Sequence, residues 1–140
     1  GPDQSESLPF GAILQRALRH EDPLTVWGSG IAVRDFFYID DFVDAILWAI
    51  ESVLKPHPQP IDIGTGQWIT FKQLAREIAD AVGYAPIIKP LIDKPESGMY
   101  RVADTRLAAK LGWTAKVSLA EGIRKCVETN RATHRSPCNP

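Results

Sequence analysis

Apolar residues recur at near-helical spacing in the stretch SLPFGAILQRALRH, where Leu8, Ile13, Leu14, Ala17 and Leu18 share a face. The pattern predicts a helix over about residues 7 to 20, with Pro9 accommodated in a first turn that needs no amide hydrogen. The pattern then shifts to short β-branched and aromatic runs, LTVWG and RDFFYI, which predict two strands joined at Gly28-Ser29-Gly30 as a hairpin-like unit. Asp40 and Asp41 stand where an N-cap and a first-turn acid belong, ahead of FVDAILWAIESVL. That segment is apolar around much of its circumference, so burial on more than one side is expected.

A proline-punctuated connector, KPHPQP at 55–60, leads to IDIGTG at 61–66, which reads as a short strand ending in a glycine turn. Strand, helix and strand in this order predict a βαβ unit with a right-handed crossover. TFKQLAREIADAVG opens with a capping box, Thr70 with Gln73, and stops at Gly83. YAPIIKPLI reads as an edge strand or extended loop and DKPESGMY as a turn-rich loop. RVAD is a short strand leading into TRLAAKLG, a helix capped by Asp104 and stopped by Gly112. SLAEGIRKCVETN has a second capping box, Ser118 with Glu121, and an apolar face of Leu119, Ile123, Cys126 and Val127. Beyond Arg131 the chain turns polar and proline-containing. The expectation is one α/β domain over residues 1–131, with a short mixed sheet and about five helices, and a flexible tail over 132–140.

Composition narrows the function classes. The 140 residues are 44% hydrophobic and 24% charged, the balance of a globular protein able to bury one core. A formal charge of -1, with no Lys/Arg run longer than two, argues against nucleic acid. No apolar stretch has the roughly 20 residues of a bilayer span, and Gly1-Pro2-Asp3-Gln4 is not a cleavable signal, so a cytoplasmic protein is expected with no membrane partner. The two cysteines read as a core thiol, Cys126, and a thiol in the tail, Cys138, in preference to a disulfide. His20, His57 and His134 are scattered without a second ligand at metal spacing, so no metal is expected.

The glycine pairs are the natural place to look for a dinucleotide loop, because a Gly-x-Gly turn after a strand can open a helix that faces a pyrophosphate. The third glycine is missing from both: Val33 follows Gly28 and Gly30, and Ile69 follows Gly64 and Gly66. There is no Gly-Lys-Ser/Thr. Tyr38, Tyr84 and Tyr100 lack a lysine four residues on. Turn glycines with positive φ are the simpler reading, and no catalytic set can be assembled. What remains is cationic: Arg34, Lys94 and Arg101, beside glycine turns and extended segments. Such groups could jointly hold a diphosphate. Equally, Arg34 could pair with Asp35, Asp40 or Asp41, and Lys94 and Arg101 could be merely solvated. Trp27 and Tyr100 are candidates for core, interface or base-stacking aromatics.

Three ordered stretches carry a resemblance: PLTVWGSGIAVRDFFYIDDFVDAI, IDIGTGQWITFKQLAREIADAVG and DKPESGMYRVADTRLAAKLGW. From Gly1-Pro2 to about Arg131, the chain resembles the C-terminal, substrate-binding half of the extended short-chain dehydrogenase/reductases. That family includes NAD(P)-dependent nucleotide-sugar epimerases, dehydratases and epimerase-reductases. The resemblance implies that Arg34 matches an arginine contacting the diphosphate of an NDP-sugar, and that Lys94 stands where many members have a second phosphate-binding arginine. It implies that Thr25 and Trp27 flank the nucleotide base, that Arg101 takes a nucleotide-contacting position often held by tyrosine, and that Leu8 makes a contact near the domain boundary. Asp62 departs from the family's frequent asparagine.

The resemblance also implies what this chain does not carry. The family's Rossmann domain holds NAD(P) and the catalytic Tyr-x-x-x-Lys. A chain lacking it is expected to have no catalytic residues and no cofactor site of its own, and to be inactive alone. Its partners would be an NDP-sugar and either a Rossmann cofactor domain or a second copy meeting an exposed apolar face. The rival class is a non-catalytic, self-associating interaction module derived from the same fold.

Overall fold

The computed structural model describes residues 2–52, 59–96 and 98–135. Helix α1 spans Pro9–Leu18, with Leu8 as its N-cap and Pro9 at the first helical position, where the missing N–H has no intrahelical acceptor to lose. It ends two residues earlier than predicted, and His20 follows at a φ of 56°. Helix α1 buries Ile13, Leu14 and Ala17. These meet helix α3, Phe71–Val82, which turns Leu74, Ala75, Ile78, Ala79 and Val82 inward. Helix α5, Leu119–Arg135, adds Ile123, Cys126 and Val127 to the same core. Leu74 and Ile78 are fully buried, which stabilises the fold by about 1.5–3 kcal/mol per side chain.

Both predicted ends of α3 form. Thr70 accepts the amide of Gln73 while the Gln73 side chain accepts the amide of Thr70. Gly83 closes the helix in the left-handed region at φ 95°. A methyl group at Gly83 would meet no atom within 4 Å, so only the backbone conformation resists it. Gly83→Ala is therefore expected to destabilise by about 1 kcal/mol, read as a lower urea midpoint with an unchanged slope.

The strands correct two expectations. Strand β1, Leu24–Trp27, pairs in parallel with β4, Ile88–Leu91, in a two-stranded sheet. Strand β2 is only Val33–Arg34 and lies in a different, three-stranded sheet. It runs antiparallel to β3, Ile69–Thr70, and parallel to β5, Tyr100–Arg101. The predicted hairpin does not form. Gly28 and Gly30 both have positive φ, 66° and 71°, and Gly28 N–H donates to Leu91, continuing the pairing of β1 with β4. The chain then crosses to the second sheet, where Val33 and Asp35 donate to Met99 and Arg101.

The second correction is at 61–64, which is not a strand. The turn after it is held by a side chain instead: Asp35 accepts from the amides of Thr65 and Gly66 and from the Thr65 hydroxyl. The predicted βαβ unit is thus absent, and the short mixed sheet becomes two small sheets. As an edge strand, β4 tolerates Pro90, whose missing N–H has no ladder bond to make on the open side.

Helix α2, Ile39–Ser52, has Asp40 and Asp41 in its first turn as expected. Its orientation is not the expected one. Asp41, 3% exposed, accepts the amides of Lys116 and Val117. Asp44 accepts from the Trp113 indole and the Lys116 ammonium. With Ala45 and Trp48 they turn this face toward Ala108 and Trp113. Phe42, Val43, Ile46, Leu47 and Ile50 consequently face outward. The helix is buried on one side, and its most apolar side is the exposed one.

Helix α4 is short, Arg106–Lys110. Thr105 takes the N-cap position without a side-chain cap bond, and Asp104 accepts the Arg106 amide. Gly112, at φ 96°, follows it. At α5, Ser118 accepts the Glu121 amide, one half of the predicted capping box, while the Glu121 carboxylate pairs with Lys125 at 3.2 Å. This helix continues to Arg135, into the segment read as a tail. Residues 136–140, with Cys138, and most of the 55–60 connector lie outside the described residues. Cys126 is a free, buried thiol whose pKa is pushed up by that burial. Among the described residues, no helix is long and apolar enough to cross a membrane.

Candidate functional site

The short strands put two of the three candidate cations side by side. Arg34 on β2 and Arg101 on β5 are register partners, and residues directly opposite on neighbouring strands project from the same face. The guanidinium carbon of Arg34 lies 5.5 Å from the centre of the Phe71 ring, and its Nη1 donates to the Val33 carbonyl at 2.6 Å. Burial, then the like charge of Arg101, pushes the Arg34 pKa down from its ordinary value. Asp35 accepts the amides of Thr65 and Gly66, and Asp41 those of Lys116 and Val117 just before α5. Asp40 is exposed in the first turn of α2.

Arg34 and Arg101 line a cavity of about 360 Å³. Leu8 borders it from the start of α1, Phe36 and Tyr38 from the stretch after β2, and Phe71 from the start of α3. Val117 and Ser118 close it at the approach to α5. Tyr38 carries a phenol pushed upward mainly by burial, and the Lys125 ammonium sits 5.1 Å from its ring centre. A pair of guanidiniums at the wall of a partly apolar cavity suits an anion with several oxygens.

A second cavity, about 340 Å³, shares Leu8, Pro9 and Phe71 with the first. Trp27 lies at it, 57% exposed. Its polar lining includes Arg16 and Glu96. Thr25 does not line it, but its hydroxyl accepts from Arg16 Nη1 at 2.7 Å, and Arg16 Nε donates to the Ala12 carbonyl. Thr25 therefore fixes the cation that does.

Lys94 lines neither cavity. It is exposed in the turn after β4, where its amide donates to Leu91. Asp62 lines neither as well; it accepts the Asp104 amide at 3.4 Å. Tyr100 packs at a tilt against Trp68, with ring centres 5.7 Å apart. Sequence reasoning passed over Phe71, Arg16 and Glu96. Phe71 was detectable as the first residue after the Thr70 cap, whereas Arg16 is marked only by its contacts with Thr25 and Ala12. Neither glycine pair opens a helix, since Gly28 and Gly30 precede β2 and Gly64 and Gly66 precede β3. No backbone cradle for a dinucleotide pyrophosphate stands there.

Comparison with known proteins bears on the family and the fold. Residues 1–64 match the NAD dependent epimerase/dehydratase family. GDP-L-colitose synthase of Yersinia pseudotuberculosis is 35% identical over 127 residues, which take in 88% of this chain and 41% of that protein. The structure of UDP-glucose 4-epimerase from Thermotoga maritima with UDP-glucose is 35% identical at a TM-score of 0.72, covering 96% of this chain and 42% of the other. UDP-glucose 4-epimerase from Thermus thermophilus in complex with NAD is 26% identical at a TM-score of 0.77, covering 94% and 43%. The chain spans less than half the length of each of these relatives.

Proposed function

From a chain related to the NAD dependent epimerase/dehydratase family and matching under half of its relatives, we propose a nucleotide-sugar-binding portion of such an enzyme. Arg34 and Arg101 hold the diphosphate in the first cavity. Trp27 stands by the base in the second, with Thr25 behind it through Arg16, and Leu8 lies between the two. Oxidation and reduction at the sugar belong to a cofactor domain that binds NAD(P). This portion positions the substrate and is inactive alone.

The observation that carries the reading is the register of Arg34 with Arg101 at one cavity. Like charges directly opposite on adjacent strands repel, and an anion bridging them turns that repulsion into two charge-assisted contacts. Titration calorimetry of the folded chain with GDP-, UDP-, dTDP- and CDP-sugars tests it. Heat of binding with at least one is the expected result; silence with all four would remove the reading.

A second reading rests on α2. Its exposed apolar residues recur at 42, 43, 46, 47 and 50, one continuous stripe along the helix. Such a stripe suits a cofactor domain or, in its absence, a second copy. If the isolated chain pairs through it, Ile46→Glu with Ile50→Glu is expected to convert a dimer to a monomer in size-exclusion chromatography with light scattering. A wild-type monomer at every concentration tested would exclude self-association.

A further inference from the structure

The second cavity carries a group that the reading above leaves without a role. Glu96 lies in the loop after β4 and packs over Gly28, where an added methyl group would sit 2.8 Å from the Glu96 Cβ. Its carboxylate is oriented by the glycine loop itself. The Ser29 hydroxyl donates to Glu96 Oε1 at 2.5 Å, while the Ile31 amide donates to the same hydroxyl oxygen at 3.2 Å. The short Gly28-Ser29-Gly30 turn thus fixes a carboxylate at the cavity that Trp27 borders. The other carboxylate there, Glu6, pairs with Arg19 at 3.4 Å.

A fixed carboxylate is a poor neighbour for a phosphate and a good one for a ring edge bearing N–H donors. Guanine offers two parallel donors, N1–H and the 2-amino group, that match the two carboxylate oxygens. Uracil offers one donor flanked by two carbonyl oxygens, and the adenine and cytosine edges each offer one amino group beside an acceptor nitrogen. Guanine also presents acceptors, O6 and N7, for which arginine is the fitting donor, and Arg16 belongs to the same cavity. Resting on the nucleotide-binding reading, we infer that Glu96 is a specificity-determining residue that selects guanine, so that the chain takes guanosine diphosphate derivatives in preference to those of the other bases.

The test is calorimetry of the wild-type chain and Glu96→Gln with free GDP, IDP, UDP, ADP and CDP. Glutamine keeps an acceptor for Ser29 but replaces one carboxylate oxygen with a donor. The expected result is GDP binding at least about tenfold tighter than UDP, ADP or CDP. IDP, which lacks the 2-amino group, should fall between, and Glu96→Gln should weaken GDP about tenfold and remove its advantage over UDP. Equal affinity for all five, or a GDP preference that survives in Glu96→Gln, would overturn the inference while leaving the nucleotide-binding reading intact. Binding of none would overturn that reading, and the inference with it.

Discussion

Arg34→Ala is expected to weaken nucleoside diphosphate binding on the order of a hundredfold while the chain remains folded. A charge-assisted hydrogen bond to an ionised partner contributes about 1.5–3 kcal/mol, and a hundredfold is about 2.7 kcal/mol. Arg34 falls at the upper end because it is half-buried at the cavity wall and because Phe71 holds its guanidinium group. Arg101 is exposed, so Arg101→Ala should cost less. Arg34→Lys should recover only part of the loss, since a point charge replaces a planar fork. Calorimetry beside far-ultraviolet circular dichroism separates lost binding from lost structure. An Arg34→Ala variant with wild-type affinity would place the diphosphate elsewhere.

The largest stability effect is expected at Asp41. Its carboxylate is nearly sealed from water and accepts the amides of Lys116 and Val117. Asp41→Ala leaves both amides without that acceptor, a loss of about 3 kcal/mol at about 1–3 kcal/mol for each unsatisfied group. Asp41→Asn retains one acceptor oxygen and should lose less. Urea denaturation reads both. An Asp41→Ala midpoint equal to the wild type would mean that water replaces the carboxylate. Because Val117 and Ser118 border the first cavity, the same variant should also weaken nucleotide binding, more modestly than Arg34→Ala.

The fold was legible where its determinants are local. The α3 helix could be read from Thr70, Gln73 and Gly83 because a capping box and a left-handed stop act over one turn of chain. The pairing of β2 could not, because a β-rich run reports that a segment is extended and says nothing of its neighbour. Val33 and Arg34 find their partners at 69–70 and 100–101. The stretch at 61–64 failed as a strand for a related reason: one aspartate, Asp35, satisfies the turn behind it. The outward apolar side of α2 was hidden as well, since helical periodicity groups residues onto a face without saying which face a distant pair of amides will claim.

The candidate site divides along the same line. The residue types suited to a diphosphate stood out along the chain, and the resemblance ranked Arg34 first. That Arg101 would stand opposite Arg34, and Lys94 apart from both cavities, depends on the register of two-residue strands. Glu96 was the least visible of all, a carboxylate in a turn-rich loop that gains meaning only from Ser29, 67 residues earlier.

Phe71, with Leu8 and Pro9, borders both cavities, so the proposed reading makes the two the halves of a bivalent receptor. For a ligand that reaches into both, seating one end raises the effective concentration of the other at its own half by a factor set by the linkage between them. Pyrophosphate and a free nucleoside, added together, should then bind far more weakly than the intact nucleotide. A bulkier or smaller residue at 71 should disturb that gain before it disturbs either half.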